Sequence, residues 1–277
     1  MRWSVVSRLG GRRALVLPVV AFFAVLLLWP LVELLQAAIA GGGTSLDKLH
    51  SNPTTGMIVK NTLVISAYTV VVVVVLGYFL AFCAWRMRGW QRLLIIAFVL
   101  LPFWTGVLVK NFAWTIILQE HGLVNSVLQS LHITDHPLSL LHNRFAVIVG
   151  MAHYCLPYAF FPIFAVMVPL DPRIERAAES LGAGRWRLAR HIILPLTAPG
   201  VLAAALLTFI IAAGFFITPV ILGGPGDRMV ANMIDYYQTQ VVDLNTASML
   251  AMLVTAVFSV LVLLYNRVPK EGQYGNL

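Results

Sequence analysis

The sequence has 277 residues, of which 60% are hydrophobic and only 11% are charged, and its formal net charge is +8. A soluble domain usually carries about 25% charged residues, so a water-soluble fold of this length would expose far too much apolar surface. Soluble enzymes and soluble binding modules are therefore excluded, and an integral membrane protein is predicted. In such a protein the excess of Lys and Arg, placed between apolar runs, fixes orientation in the bilayer rather than binding nucleic acid.

Six apolar stretches are each long enough to cross a membrane, which takes about 20 residues. The predicted fold class is accordingly an all-α integral membrane protein with six transmembrane helices. The first stretch has an apolar core from Ala14 to Val32, longer than the roughly 7–15 residues of a signal-peptide core, so we expect an uncleaved helix. The six stretches are residues 14–36, 61–84, 93–117, 145–168, 199–222 and 246–266.

Lys and Arg are distributed unevenly among the segments that join these stretches. The N-terminal segment, the second and fourth loops and the C-terminal tail carry fourteen, whereas the other loops carry four. By the positive-inside rule, both termini and the second and fourth loops are predicted to be cytoplasmic. Glu33 and Lys110 then lie toward the outer ends of their spans, where interfacial anchoring and a transport role are both open interpretations.

Residues that carry enzymatic or metal chemistry are sparse. Cys83 and Cys155 lie inside apolar runs without CxxC spacing, which is typical of small buried side chains. The seven His are scattered and form neither a metal cluster nor a nucleophile–base pair. Gly41–Thr44 lacks the lysine of a phosphate-binding loop. We therefore expect no catalytic residue, no metal site and no cofactor in this chain.

The fourth loop carries helix signals of its own. Asp171 can cap a helix whose first residue is Pro172, and Gly182 supplies a stop signal at the other end. Its central residues are small, so a partner can approach closely, and this favours a docking helix over a solvated basic loop. The apolar stripe, at i, i+3, i+4 and i+7, is formed by Ile174, Ala177, Ala178 and Leu181.

The same loop resembles the EAA loop of the permease subunits of binding-protein-dependent ABC importers. In that pattern a Glu-Ala-Ala run precedes a Gly and, further on, an Ile-x-Leu-Pro run. The Ala pair, the Gly and the Leu-Pro element occur here at matching spacing, but Arg176 directly precedes the Ala pair, so that Glu175 is displaced by one position. The resemblance implies contact with an ATPase through Glu175, Ala177, Ala178, Leu181, Gly182, Ile192, Leu194 and Pro195.

Two further regions are similar to spermidine/putrescine importer permeases. One is the third-span region, with Leu101–Thr105, Lys110–Trp114 and Gly122–Asn125. The other runs through Thr218–Gly226 into Met229–Ile234. Related permeases for other small organic solutes share much of this pattern.

The resemblance implies a type I (MetI-like) ABC importer permease fold and a set of partners. In that family two permease subunits form the pore, either as two copies or with a similar second chain. A separate ATPase subunit docks on the cytoplasmic side, and an extracytoplasmic solute-binding protein delivers the solute; membrane lipid is the remaining partner, and nucleic acid is not one. The implied regions are 1–40 (cytoplasmic N-terminus and first span), 60–266 (core spans, with the coupling loop 169–198) and 267–277 (cytoplasmic tail), in a cell inner membrane.

Four residues are candidates for the solute path: Trp104, His153, Tyr154 and Tyr158. Aromatic faces attract a cation such as a polyamine. For His153 the favoured interpretation is a helix-packing residue that is hydrogen-bonded to a neighbour. No Asp or Glu lies deep in the later spans, so non-polyamine solutes stay open.

Two other classes of function are weighed. An ion-coupled secondary transporter would need intramembrane carboxylates or discontinuous helices at the midplane, and no such carboxylate is present. A membrane-embedded enzyme would need a catalytic or metal cluster, which is also missing from the sequence. Loss of transport on ATP depletion, rather than on collapse of an ion gradient, separates the importer from the secondary transporter.

Overall fold

A computed structural model of the chain describes residues 7–171, 173, 174, 178, 180 and 184–267. These residues are helical or irregular, with no β-strand among them. A 3₁₀ turn covers Leu101–Trp104, and π-helical turns cover Ala189–Ile193 and Tyr236–Gln240. The α-helices of this part of the chain are α1 (Ser7–Ser51), α2 (Pro53–Arg86), α3 (Trp90–Leu100), α4 (Val107–Leu118), α5 (Leu123–Ser130), α6 (Arg144–Met167), α7 (Arg185–Leu188), α8 (Leu194–Ala213), α9 (Ile217–Leu222), α10 (Val230–Asp235) and α11 (Leu244–Arg267).

Five helical segments are long and apolar enough to cross a membrane, and a bent pair makes a sixth span if it is counted as one. Each overlaps one of the six apolar stretches. The five are Pro18–Ser51, Pro53–Arg86, Arg144–Met167, Trp186–Ala213 and Leu244–Arg267, and the bent pair is Trp90–Trp104 with Val107–Ser130.

The third span is broken, where the sequence predicted one stretch at 93–117. The chain bends by 103° between its two halves. Pro102 cannot donate a backbone hydrogen bond, and the chain tightens into the 3₁₀ turn before Thr105 and Gly106 adopt extended backbone. The Thr105 hydroxyl donates to the Pro102 carbonyl at 2.8 Å, which satisfies one acceptor at the break.

The fifth span also differs from its predicted limits of 199–222. Helix α8 begins earlier, at Leu194, and ends at Ala213, and a short break separates it from α9. Gly214 begins the break, and Pro219 lies in the first turn of α9, where its missing N–H leaves no helical hydrogen bond unmade. Apolar composition continues through the break, so a count of apolar residues could not detect it.

The chain divides into two compact units. One comprises Met1–Asn52 with Ile234–Ala256, and the other comprises Pro53–Met233 with Val257–Leu277. In the second unit, helices α2, α6 and α8 pack against one another around a core that includes Val73, Phe160 and Ile163.

Glycines allow these helices to approach closely. A Cβ added at Gly77 of α2 would lie 3.1 Å from the Ala159 Cβ on α6. One added at Gly200 of α8 would lie 2.9 Å from the Pro162 carbonyl oxygen and 3.2 Å from the Ile163 Cα. Small residues at contacts of this kind hold membrane helices together through van der Waals packing.

In the first unit, α1 bends at Gly42, whose φ of +44° is accessible to glycine at little cost. The bend is followed by Lys48, whose Nζ donates to Asp243 Oδ2 at 2.6 Å. Asp243 also caps α11, because its carboxylate accepts from the Thr246 backbone N–H at 3.1 Å and from the Thr246 hydroxyl at 2.9 Å. These bonds, led by that from Lys48, lower the pKa of Asp243 from its ordinary value to about 2.

Candidate solute path and coupling segment

Four aromatic rings meet where α6 passes the breaks in the third and fifth spans. Tyr154 and Tyr158, one turn apart on α6, stack with ring centroids 5.9 Å apart. The 3₁₀ turn brings Phe103 to 6.0 Å from Tyr158, and the break after α8 brings Phe215 edge-on to Tyr154 at 4.8 Å. We call Phe103, Tyr154, Tyr158 and Phe215 the aromatic cluster. Two of its four rings, those of Phe103 and Phe215, therefore lie at the breaks in the third and fifth spans, which the sequence did not predict.

Lys110 enters the aromatic cluster from the first turn of α4. Its Nζ lies 4.8 Å from the centroid of the Tyr154 ring, a cation–π geometry. Only 7% of Lys110 is exposed, so its side chain is enclosed by neighbouring helices and does not extend outward as an interfacial anchor. Glu33 differs, because it is exposed and accepts a 2.7 Å hydrogen bond from Trp29 Nε1.

His153 lies beside the cluster and contacts α4. Trp114 Nε1 donates to His153 Nδ1 at 3.0 Å, and the two rings meet edge to face. Because Nδ1 accepts, the neutral imidazole carries its proton on Nε2. The contact orients His153 as a link between α4 and α6, which agrees with the helix-packing interpretation.

Trp104 is not brought together with the other three predicted path residues. It lies in the 3₁₀ turn next to Phe103 and is 82% exposed. Among the ring pairs formed by the described residues, none includes Trp104. Its side chain therefore points away from the aromatic cluster.

A buried polar pair lies near the cluster and was not predicted. The Thr218 hydroxyl on α9 donates to Asn111 Oδ1 on α4 at 3.1 Å, and both residues are fully buried. Gly150 of α6 makes room for the pair, because a Cβ there would lie 3.0 Å from Thr218 Cγ2 and 3.3 Å from Asn111 Oδ1. The sequence did contain a signal for this pair. Placing a polar side chain inside an apolar span costs free energy, so a residue such as Asn111 is expected to be paired or functional.

A cavity of about 470 Å³ adjoins the cluster. Phe103 and Tyr158 form part of its wall, and Pro157, Pro162 and Leu207 form much of the remainder. The wall is almost entirely apolar, and of the four rings of the cluster it includes those of Phe103 and Tyr158.

The coupling segment, residues 169–193 of the predicted coupling loop 169–198, is described only in part. Glu175, Ala177, Leu181 and Gly182 lie outside the described residues. Ala178 is 6% exposed and packs with Leu188 and Ile193 against Phe82 and Trp85, near the end of α2. In this structure the Ala178 methyl group therefore faces α2 of its own chain.

The remaining predicted coupling residues lie at the junction of α7 and α8. Ile192 is half-buried and packs against the cluster that contains Ala178, whereas Leu194 and Pro195 are exposed. The junction is the π-helical turn Ala189–Ile193, a geometry that often marks functional positions. The Thr197 hydroxyl donates to the Ile193 carbonyl at 2.8 Å and lies 3.2 Å from the Tyr78 hydroxyl, linking the junction to α2.

At the opposite end of the second unit, a polar brace holds the segment that follows α9. Arg144 donates to Asp227 Oδ1 at 3.3 Å and to Asn61 Oδ1 at 2.8 Å. Asn61 in turn donates to the Gly226 carbonyl at 2.6 Å, and the Val230 N–H donates to the Thr62 hydroxyl. These bonds connect α2, α6 and the loop.

Comparison with known proteins places this architecture among transport proteins. Residues 73–268 match the family described as "Binding-protein-dependent transport system inner membrane component". The chain is 33% identical over 183 residues to the spermidine/putrescine transport system permease protein PotB of Haemophilus influenzae, covering 66% of this chain and 64% of that protein. It is 30% identical over 193 residues to PotB of Escherichia coli strain K12, covering 70% of each.

A solved structure shares the fold. It is a bacterial alginate ABC transporter, crystallised in complex with an alginate pentasaccharide-bound periplasmic protein, and one of its chains superposes with a TM-score of 0.78. The match covers 98% of each chain at 19% identity. The predicted all-α, MetI-like permease fold is thereby confirmed.

Proposed function

Because this chain belongs to the family of binding-protein-dependent transport system inner membrane components, we propose that it is the permease subunit of an ABC importer for polyamines. Its identity to two spermidine/putrescine permeases is the observation that carries the proposed solute. The aromatic cluster supports the same solute class, because Tyr154 already bears an alkylammonium, that of Lys110, on its face.

The proposed partners are a cytoplasmic ATPase subunit, a second permease chain and an extracytoplasmic solute-binding protein. ATP hydrolysis takes place in the ATPase subunit. Both termini and the coupling loop 169–198 face the cytoplasm, as the distribution of Lys and Arg predicts. The ATPase contacts the coupling segment through Glu175, Ala177, Leu181 and Gly182, with Ala178 seating the segment on α2. The regions 1–40, 60–266 and 267–277 keep the roles that the sequence predicts for them.

Helix α8 connects the two proposed sites mechanically. The coupling segment precedes Leu194, its first residue, and Phe215 of the aromatic cluster follows its last turn. The 20 residues of α8 rise about 30 Å at ~1.5 Å per residue. A displacement of the coupling segment by the ATPase therefore tilts α8 and moves Phe215 relative to Tyr154. Such coupling makes the chain a two-state element that ATP biases from one side and the loaded binding protein biases from the other.

Purification of the tagged chain from its native membranes in mild detergent tests this assignment. Mass spectrometry of the copurifying proteins should identify an ATPase subunit and a second permease chain. Deletion of residues 172–182 should remove the ATPase and leave membrane insertion unchanged, because the spans are intact. If the chain is recovered alone with its loop intact, and its activity survives ATP depletion, the result would favour an ion-coupled secondary transporter over an ABC importer.

A solute competition assay tests the polyamine assignment separately. Cells whose polyamine uptake depends on this chain should take up radiolabelled spermidine, and unlabelled putrescine should compete with this uptake. Uptake of another organic solute, with no competition by either polyamine, would support the permease assignment but contradict the assignment of polyamines as the solute.

A further inference from the structure

The cation site of the aromatic cluster is already filled by the chain itself. Lys110 Nζ lies over Tyr154 at 4.8 Å from the ring centroid, and Phe215 and Tyr158 pack against the same tyrosine. A primary ammonium on an alkyl chain is also what each end of a polyamine presents. The Tyr154 ring therefore contacts the same functional group that each end of a polyamine carries.

Lys110 has no acidic partner in the part of the chain that the structure describes. The ion pairs there join Lys48 to Asp243 and Arg144 to Asp227, and neither involves α4. A buried ammonium without a carboxylate depends on aromatic faces and dipoles for its stabilisation. The contact between Lys110 and Tyr154 is therefore exchangeable for another cation without breaking a salt bridge.

We propose that Lys110 is a tethered ammonium that occupies the cation site on Tyr154 until an ammonium group of the solute displaces it. This inference rests on the proposed polyamine function. Two ammonium groups cannot share one ring face in a low-dielectric interior, because like charges repel strongly there. Occupation by Lys110 and occupation by the solute are therefore mutually exclusive, and the permease resists binding free cations in this state.

The position of Lys110 gives the exchange a structural route. It lies in the first turn of α4, directly after the extended Thr105 and Gly106 that separate α4 from the 3₁₀ turn. Phe103 lies on the other side of that break and contacts Tyr158. Rotation of α4 about the break withdraws Lys110 from Tyr154 without moving Phe103. The same rotation breaks the hydrogen bonds from Thr218 to Asn111 and from Trp114 to His153.

Equilibrium binding of radiolabelled spermidine to the purified complex, in detergent and without the solute-binding protein, tests the proposal. Lys110→Met should bind spermidine about tenfold more tightly than the wild type, because the competing cation–π contact is gone. Lys110→Arg should resemble the wild type, since it retains a cation. Tyr154→Leu added to Lys110→Met should abolish the gain, because the shared ring face is removed.

Lys60→Met is the matched control, because Lys60 is exposed on α2 and the same charge is lost. Lys110→Gln serves as a second variant if the Met variant assembles poorly, and the same gain is expected. Unchanged or weaker binding in both Lys110 variants would overturn the inference, while spermidine uptake by wild-type cells would still support the function. Absence of spermidine uptake in wild-type cells would overturn the proposed function itself.

Discussion

The ring of Phe215 meets that of Tyr154 edge-on, with centroids 4.8 Å apart and ring planes at 75°. Phe215 lies just beyond the last turn of α8, whose first residue adjoins the coupling segment. Tyr154 lies on α6 and is half-buried against the core of the second unit. The ATPase is proposed to move α8. This single contact therefore joins α8 to the proposed solute site.

Replacement of Phe215 by Leu should uncouple the two sites. The leucine removes the edge-to-face contact, worth about 0.5–1.5 kcal/mol, and leaves a gap beside Tyr154. We expect spermidine uptake to fall several-fold while the amount of copurified ATPase is unchanged. Phe216→Leu is the adjacent control, since Phe216 is exposed and its ring belongs to no aromatic pair among the described residues. Equal uptake by Phe215→Leu and the wild type would contradict the proposed role of α8.

Ala178→Trp should detach the coupling segment from α2. The methyl group is enclosed by Leu188, Phe82 and Trp85, so an indole cannot fit without displacing the segment, at a cost of about 1–3 kcal/mol. We expect uptake and ATPase copurification to be lost and membrane insertion to be retained, as measured by membrane fractionation. Arg173→Trp is the control, because Arg173 is exposed in the same segment and lies outside the apolar stripe. Normal uptake by Ala178→Trp would show that this packing is not needed for coupling.

Gly200→Ala should loosen the contact between α6 and α8. The added methyl would lie 2.9 Å from the Pro162 carbonyl oxygen, and this backbone atom cannot move aside as a flexible side chain can. We expect a loss of stability of about 1–3 kcal/mol, seen as a lower Tm of the purified complex. Gly56→Ala on α2 is the control, because a Cβ there meets no atom within 4 Å. The packing argument fails if both variants melt at the same temperature.

The ion pair between Lys48 and Asp243 should make the stability of the first unit sensitive to acid. Because folding lowers the pKa of Asp243 from its ordinary value near 3.8 to about 2, its stabilising contribution is complete above pH 4. It is lost as the pH falls from about 4 to about 2. Asp243→Asn should therefore lower Tm at pH 6, and the difference from the wild type should shrink on acidification.

Lys48→Met provides the partner test for this pair, since Lys48 donates the leading hydrogen bond to Asp243. Combined with Asp243→Asn, it should add little to the loss caused by either change alone. Fully additive losses, or a Tm difference that does not vary with pH, would show that the pair is not coupled.

The spans could be predicted because a bilayer imposes a minimum apolar length, which the sequence displays directly. Their breaks could not be predicted in the same way. Apolar composition runs through Gly214–Phe216, and Pro102 alone does not say whether a membrane helix bends or ends. The sequence therefore predicted Tyr154 and Tyr158, which share one helix face, but not Phe103 and Phe215, which depend on the breaks.

Charged residues show the same limit. Counting along the third span placed Lys110 near an interface, whereas its burial is determined by contact with α6. Arg144 and Asp227 are 83 residues apart in the chain, and no local pattern indicates that they pair. The small-residue stripe of the coupling segment predicted a close contact at Ala178, but the sequence could not indicate that α2 of the same chain provides one.

The most direct test of the account is spermidine uptake under two separate energetic conditions. Cells that lack the chromosomal copy of this chain, and cells complemented with it, would be compared after ATP depletion and after collapse of the ion gradients at constant ATP. The account predicts uptake that requires the chain, stops on ATP depletion and persists without the gradients. Uptake that requires the chain but follows the gradients at constant ATP would contradict it.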